Sequence, residues 1–355
     1  MDKRAFIKQM TLLGLSAPVF GQLENVLAAA GNRSSEALAK DRDFWAQIRA
    51  GYRLKPDYIN LESGYYCIQP EETLEHYLQH VREVNYHGSY YMRNYRLQNK
   101  AQVAAKLAEM AGCRADELII TRNATESLDM IIGGLNWDAG DEAVYANQDY
   151  GSMRHMFKLI EDRYGVVSKV IDVPTHPQSD REIVETYASA ITSKTRLLMV
   201  SHIVNITGHI LPIRKICDMA HERGVEVLVD GAHAFGHFDF SIKDLNCDYY
   251  GTSLHKWLSA PLGAGFLYVK KGKAGKIWPL LAEGKFEEDD ILRLNHTGTH
   301  PAHTDLAIAN AIEYQNRIGI GRKEARLRFL QNYWTDKVRG LKHVELFTPK
   351  ERHRS

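Results

Sequence analysis

Val227-Leu228-Val229-Asp230-Gly231-Ala232-His233, followed by Thr252-Ser253-Leu254-His255-Lys256-Trp257, decides the fold of this chain. The first stretch reads as a buried aliphatic strand that ends in a carboxylate. In a parallel sheet that carboxylate lies at the carboxyl edge, where open α/β sheets bind ligands. The second reads as the end of a strand, Asp248–Thr252, then small polar residues, a histidine and a lysine. Lys256 follows Asp230 by 26 residues, enough for one crossover.

Outward from these two stretches the pattern is regular. Strands are expected at Glu117–Thr121, Glu142–Asn147, Val166–Val173, Arg196–His202, Val225–Asp230, Asp248–Thr252 and Gly265–Val269. Helices are expected at Asn99–Ala111, from about Asn123, and at Ser152–Tyr164, Asp180–Thr192 and Ile213–Arg223. From Asp305 to Leu341 the chain looks helical, with Ala307, Ala309 and Ile312 on one side. Strands alternating with helices mean βαβ units, so the fold class is α/β with a mostly parallel central sheet flanked by helices. The expected organisation is a possible leader at 1–30, a helical segment at 31–60, a large domain at 61–310 and a helical start of a small C-terminal domain at 311–355.

Composition bounds the function. The 355 residues carry 45 Lys and Arg against 44 Asp and Glu, a net charge of +1, which argues against a general nucleic-acid binder. No apolar run of about 20 residues predicts a membrane span. Cys67, Cys113, Cys217 and Cys247 are scattered and form no CxxC, so neither a zinc knuckle nor a disulfide scaffold is expected. Two readings fit the N-terminus. Asp2–Lys8 is a basic head, Met10–Phe20 is mildly apolar and Ala28–Ala30 offers a small-residue cleavage site, so it resembles a twin-arginine export signal with Lys3 replacing the first arginine. That reading predicts a periplasmic protein. An amphipathic N-terminal helix, and with it a cytoplasmic protein, is the other.

The strand-end residues fit one cofactor, pyridoxal phosphate. Its aldehyde needs a lysine amine for a Schiff base. Its ring nitrogen needs a carboxylate to stay protonated and act as an electron sink. A carboxylate near 4 Å contributes about 4 kcal/mol at an effective dielectric of 20, roughly three pKa units, which a neutral Asn could not supply. The phosphate needs hydroxyls and backbone amides at a helix N-terminus, and Thr121-Arg122-Asn123-Ala124-Thr125-Glu126 offers a strand end and a polar turn opening a helix. Taken singly, an Asp after a strand is ordinarily a turn residue, a Lys is ordinarily solvated and a Thr before a helix is ordinarily an N-cap. In this order, on alternating strands and helices, they form a set.

From about Tyr58 to Phe347 the sequence resembles the class V aminotransferase family of fold-type-I pyridoxal phosphate enzymes, which includes cysteine desulfurases and isopenicillin N epimerase-like proteins. Val229-Asp230-Gly231-Ala232-His233 and Ser253-Leu254-His255-Lys256 carry the resemblance, with Ser201–Gly208 and Leu211-Pro212-Ile213 next. It implies that Lys256 forms the Schiff base and shuttles the proton at the substrate α-carbon. Asp230 pairs with the ring nitrogen, His233 sits beside the ring hydroxyl and Asn205 lies near the same oxygen. Ala124 and Thr125 bind phosphate, with Ser253 and His255 helping. Tyr150 matches the aromatic position stacked on the ring, where desulfurases usually have His and the epimerase-like branch often has Tyr. Thr299, in Thr297-Gly298-Thr299-His300, matches a residue that reaches the phosphate of the partner subunit, which implies a homodimer. His300 stands where relatives often show Arg or Pro. Leu61–Tyr66 resembles a segment that enters the active site. The resemblance further implies a small C-terminal domain beyond Ser355, carrying the arginine that clamps the substrate carboxylate and, in desulfurases, the nucleophilic cysteine. The sequence is then a fragment, or the protein lacks that domain.

Other signals are bland. His296, His300 and His303 lie close together and His76 and His80 are spaced i,i+4, but no carboxylate or Cys pattern joins them, so no metal site is expected. Tyr86–Tyr95 is dense in aromatics and predicts an active-site or dimer-interface loop, with Arg93 a candidate substrate contact. The expected activity is that of a pyridoxal phosphate enzyme on an amino acid or amine, aminotransferase or epimerase-like. A cysteine desulfurase or C–S lyase, and a cofactor-binding module without catalysis, are the alternatives.

Overall fold

The computed structural model describes residues 22–281, 284 and 286–355. Its centre is a seven-stranded sheet. The strands are β1 (Leu118–Thr121), β2 (Glu142–Ala146), β3 (Val167–Ile171), β4 (Thr195–Ser201), β5 (Glu226–Asp230), β6 (Tyr249–Ser253) and β7 (Gly265–Val269). They lie in the order β1-β7-β6-β5-β4-β2-β3. All neighbouring pairs are parallel except those that β7 makes with β1 and β6. The reason is the length of the connection. Parallel neighbours need a long crossover, and the loop Leu254–Ala264 between β6 and β7 is too short to carry a helix. The chain therefore turns back at Lys256.

Alternation within each strand divides the core between two faces. Val227 and Val229 join one apolar cluster and Leu228 the other; Leu198 and Val200 face the first, Leu197 and Met199 the second. Helices Arg96–Ala111, Asp180–Ala190, Ile213–His221 and Ala302–Ile318 cover the first face, and helices Ala124–Gly134 and Gly151–Tyr164 the second. With both faces covered, β5 reads as a near-continuous apolar run. Val227, Leu228 and Val229 are fully buried and together contribute roughly 5–9 kcal/mol. Leaving one carboxylate buried at the end of that strand costs several kcal/mol, so aliphatic burial carries Asp230 into place. The N-terminal helices Gln22–Ala30 and Arg42–Ala50 pack through Val26, Phe44 and Ile48 against Tyr314 and Ile318.

The helical stretch expected from Asp305 to Leu341 is made of two helices, Ala302–Ile318 and Ile320–Val338. Gly319 separates them at φ +84°, in the left-handed region that ends a helix. The aromatic stretch Tyr86–Tyr95 is helical rather than a loop. Helix Glu71–His87 stops at Gly88, φ +54°, and Ser89–Asn94 resumes at once. Helical spacing buries Tyr91, whose hydroxyl accepts from Asn99 Nδ2 at 3.0 Å, and leaves Tyr86, Tyr90 and Arg93 exposed. The export-signal head Asp2–Lys8 and the apolar stretch after it lie outside the described residues. Among the described residues no helix is long and apolar enough to cross a membrane.

Two glycines bring helix Ala124–Gly134 against the sheet. A Cβ on Gly251 would stand 2.9 Å from Ser127 Cβ, and one on Gly265 would stand 2.7 Å from Asn123 Cα and 2.6 Å from the Thr252 carbonyl oxygen. Gly265→Ala is therefore expected to destabilise the fold by about 1–3 kcal/mol, read by urea denaturation. The entry to β5 is fixed by charge. Glu226 accepts from Lys273 at 2.7 Å, Lys276 at 2.8 Å and the Tyr249 hydroxyl at 2.7 Å. Burial alone would raise its pKa, and these partners overcome that and hold it at about 2. A carboxylate depressed in the folded state stabilises above its ordinary range near 4.5 and loses that contribution as pH falls through 2. Thermal melting is expected to fall more steeply between pH 4.5 and 2 in the wild type than in Glu226→Gln.

Candidate active site

The carboxyl ends of β1, β4, β5 and β6 meet at one edge. Register places Ser201 beside Asp230, Asp230 beside Gly251, and Gly265 between Ser253 and Thr121. Lys256 lies just past that edge, on the loop that reverses the chain.

Helix Ala124–Gly134 starts here. Asn123 is its N-cap, with Oδ1 accepting from the Glu126 N–H at 2.8 Å. The Ala124 N–H donates to Ser253 Oγ at 2.9 Å, which ties the helix start to β6. Thr125 follows in the first turn, half-buried. The Thr125 and Ser253 hydroxyls lie at this helix N-terminus, a place suited to an anion.

Asp230 is buried at 7% exposure, and its Oδ1 accepts from the Ala232 N–H at 2.9 Å. Burial raises its carboxyl above the ordinary value, against the pull of that N–H and of Lys256. Lys256 is half-buried, and burial lowers its amine while Asp230 pulls it back up. Its Nζ lies 3.0 Å from His233 Nε2. Burial, with the charge of Lys256 and of His237 added, pushes His233 down to about 3, so its imidazole is neutral at pH 7. His255 is also lowered, by burial first and Lys256 second, and its Nδ1 is buried without a hydrogen-bond partner.

A roof covers the imidazole. The segment from Ser63 to Cys67 crosses it so closely that a Cβ on Gly64 would stand 3.1 Å from His233 Cε1. The Cys67 N–H donates to the His255 carbonyl at 3.1 Å and anchors the segment over the lysine loop. This is the stretch that the sequence expects to enter the site.

Lys256, Asp230, His233, Ser253, His255, Ala124 and Thr125 thus gather around one strand edge. Tyr150, Asn205 and Thr299 are exposed. Tyr150 precedes helix Gly151–Tyr164, Asn205 sits on the turn between Val204 and Gly208, and Thr299 follows Gly298. Among the described residues no hydrogen bond joins these three to Lys256 or Asp230. The histidines expected to bind no metal have other contacts. His300 Nε2 lies 2.9 Å from Asp305 Oδ2, His80 Nε2 lies 2.9 Å from Asn310 Oδ1, and His303 packs on Tyr77. Among the described residues no three His, Cys, Asp or Glu side chains converge as a metal site.

Sequence reasoning passed over four contributors. Asp149 is buried, accepts from the Ser201 hydroxyl at 2.7 Å and the Ala146 N–H at 2.7 Å, and is pushed up to about 7 by burial, with Asp230 adding to the rise. It carries the same signal as Asp230, an acid just past an apolar strand. Ser201 ends β4 beside Asp230. Trp257 follows Lys256 directly, and His237 lies one helical turn beyond His233; neither position carries a motif of its own.

This donor set fits pyridoxal phosphate: an amine with a depressed pKa, a buried carboxylate near it, a neutral imidazole and an anion cradle. Comparison with known proteins agrees. The family model of aminotransferase class-V matches residues 69–355. Isopenicillin N epimerase of Amycolatopsis lactamdurans is 32% identical over 69% of this chain and 66% of its own length, so the chain spans just under two thirds of that relative. A probable cysteine desulfurase of Methanothermobacter thermautotrophicus is 25% identical over 78% of this chain and 71% of its own. Among solved structures, a C-DES mutant with glycine covalently linked to its PLP cofactor superposes with a TM-score of 0.77 at 23% identity, covering 86% of this chain and 84% of that one. The last likeness shows the fold: an α/β fold with a mostly parallel sheet flanked by helices. With its family model matched over most of its length, this chain belongs to the aminotransferase class-V family.

Proposed function

We propose that this chain, with pyridoxal phosphate as its cofactor, transfers a proton at the α-carbon of an amino-acid or amine substrate, with an epimerase-like or aminotransferase outcome. The observation that carries the reading is the Lys256 amine, 3.0 Å from the neutral His233 ring and in the field of the buried Asp230. When bound, the cofactor supplies an aldehyde for an amine and a ring that takes up the electron pair left when an α-carbon bond breaks. Lys256 holds the cofactor and then, as a free amine, accepts the α-proton. Asp230 keeps a proton on the ring nitrogen. His233 and Asn205 act at the ring hydroxyl, and Tyr150 stacks on the ring. Ala124, Thr125, Ser253 and His255 hold the phosphate, and Thr299 reaches the phosphate of a partner subunit.

The likeness to the epimerase, at 32% identity, exceeds that to the desulfurase at 25%, and Tyr150 is the aromatic residue assigned here to stack on the ring, as in the epimerase-like branch; both favour this outcome over C–S cleavage. A homodimer is part of the same proposal. Ile59, Leu61, Tyr65, Tyr86 and Leu97 are exposed on the segment from Tyr58 to Leu97, apolar side chains of the kind an interface covers.

Loss of the α-proton signal from amino acids in heavy water, followed by NMR with the cofactor-loaded protein, tests the reaction. Exchange is expected in the wild type and absent in Lys256→Ala. Asp230→Asn is expected to be about a thousandfold slower, the equivalent of about 4 kcal/mol. Sulfide released from cysteine would contradict the reading in favour of C–S cleavage, and cofactor binding with neither outcome would leave a binding module. Sedimentation velocity is expected to show a dimer, and a monomer would remove Thr299 from the site.

A further inference from the structure

We propose that Trp257 is a positioning residue: its indole N–H fixes the tautomer of His233, so that His233 meets Lys256 as an Nε2–H donor and only an uncharged Lys256 amine can accept. The consequence for condensation with the cofactor rests on the proposed role of Lys256. The tautomer itself does not.

A neutral imidazole has one nitrogen that donates and one that accepts, whereas an indole nitrogen only donates. Trp257 Nε1 donates to His233 Nδ1 at 3.5 Å, a long contact. It exists only if Nδ1 carries the lone pair, which puts the ring proton on Nε2. That proton faces Lys256 Nζ at 3.0 Å. An ammonium has three donors and no acceptor, so a charged lysine would favour the opposite tautomer, with the lone pair on Nε2. The indole and an ammonium therefore compete for the same imidazole proton, and the side that holds its geometry better prevails.

The indole is held on several sides. His237 Nδ1 lies 2.9 Å from the His233 carbonyl oxygen. A carbonyl only accepts, so His237 donates from Nδ1, and its ring direction is set by the backbone of the residue it serves. That ring stacks on Trp257 at 3.7 Å and 19°. Gly236, at φ +76°, allows the approach, since a Cβ there would stand 3.0 Å from the Leu258 nitrogen. The Lys323 ammonium donates to the Trp257 carbonyl and fixes the backbone. Gly64 closes on the Cε1 and Nδ1 side of the imidazole. His233 backbone, His237 ring, Trp257 indole and His233 ring thus form a closed circuit.

The charged groups around it are few. Asp230 acts on Lys256, Lys256 acts on His255, Lys256 and His237 act on His233, and Lys323 and Arg328 act on His237. Burial lowers Lys256 while Asp230 raises it. The tautomer adds a contact that only the neutral amine makes.

Nitrogen-15 NMR of the ring nitrogens in the cofactor-free protein at pH 7 tests this without turnover. In the wild type His233 is expected to show a bare Nδ1 and a protonated Nε2. Trp257→Phe keeps an aromatic ring against His237 and removes the N–H donor. It is expected to move the His233 proton toward Nδ1 and to raise the Lys256 pKa. Cofactor condensation should then slow several-fold at pH 7, and the difference should vanish at a pH where Lys256 is neutral in both proteins. A wild-type His233 protonated on Nδ1 overturns the proposal, whether or not the variant folds. So does an unchanged tautomer in a folded Trp257→Phe. Failure of α-proton exchange in the wild type would instead strike the proposed reaction and leave the tautomer standing.

Discussion

The site depends on one contact, the Lys256 amine against the uncharged imidazole of His233. A lysine in water is charged and unreactive toward a carbonyl. Here burial lowers its pKa, and its neighbour His233 is neutral at pH 7 because burial pushes that ring down to about 3. Asp230 acts in the opposite sense, its field raising the amine's pKa. Those two effects, one lowering and one raising, leave an amine able to serve as nucleophile and as base.

The fold creates this balance by chain direction. Val227–Val229 drive β5 through the middle of the sheet and bring Asp230 to its carboxyl edge. β6 runs alongside, and the short link from Leu254 to Ala264 turns the chain back into β7. Lys256 is thereby held on a tight reversal between two buried strands rather than on a free loop. Gly251 and Gly265 let helix Ala124–Gly134 approach the same edge, so the anion cradle and the lysine share one rim. The same layered scaffold hosts many reactions, and the chemistry lies in what this rim presents.

The sheet was legible because β-strand burial leaves a two-sided apolar run. All seven strands stand within a residue or two of where the pattern puts them, and the lysine, carboxylate and cradle were legible from their order along the chain. What the sequence did not reveal has physical reasons. Gly319 looks like an isolated glycine inside a helical pattern, and only its positive φ makes it a break. The run from Tyr86 to Tyr95 lacks clean periodicity because its helix buries Tyr91 and exposes its neighbours. Trp257 and His237 serve through stacking and a tautomer, properties that depend on a third residue's backbone. Asp149 repeats the strand-end acid of Asp230, but its partner Ser201 comes from another strand, and no local pattern announces that pairing.

The most direct test of the central claim is to identify which lysine carries the cofactor. Borohydride reduction of the pyridoxal phosphate-loaded protein, followed by proteolysis and mass mapping, fixes the adduct to one residue. Among the described residues, two other lysines have amines lowered by burial: Lys323, at about 8, and Lys100. The account predicts the reduced adduct on Lys256. An adduct on Lys323 or Lys100, with Lys256 unmodified, would contradict it.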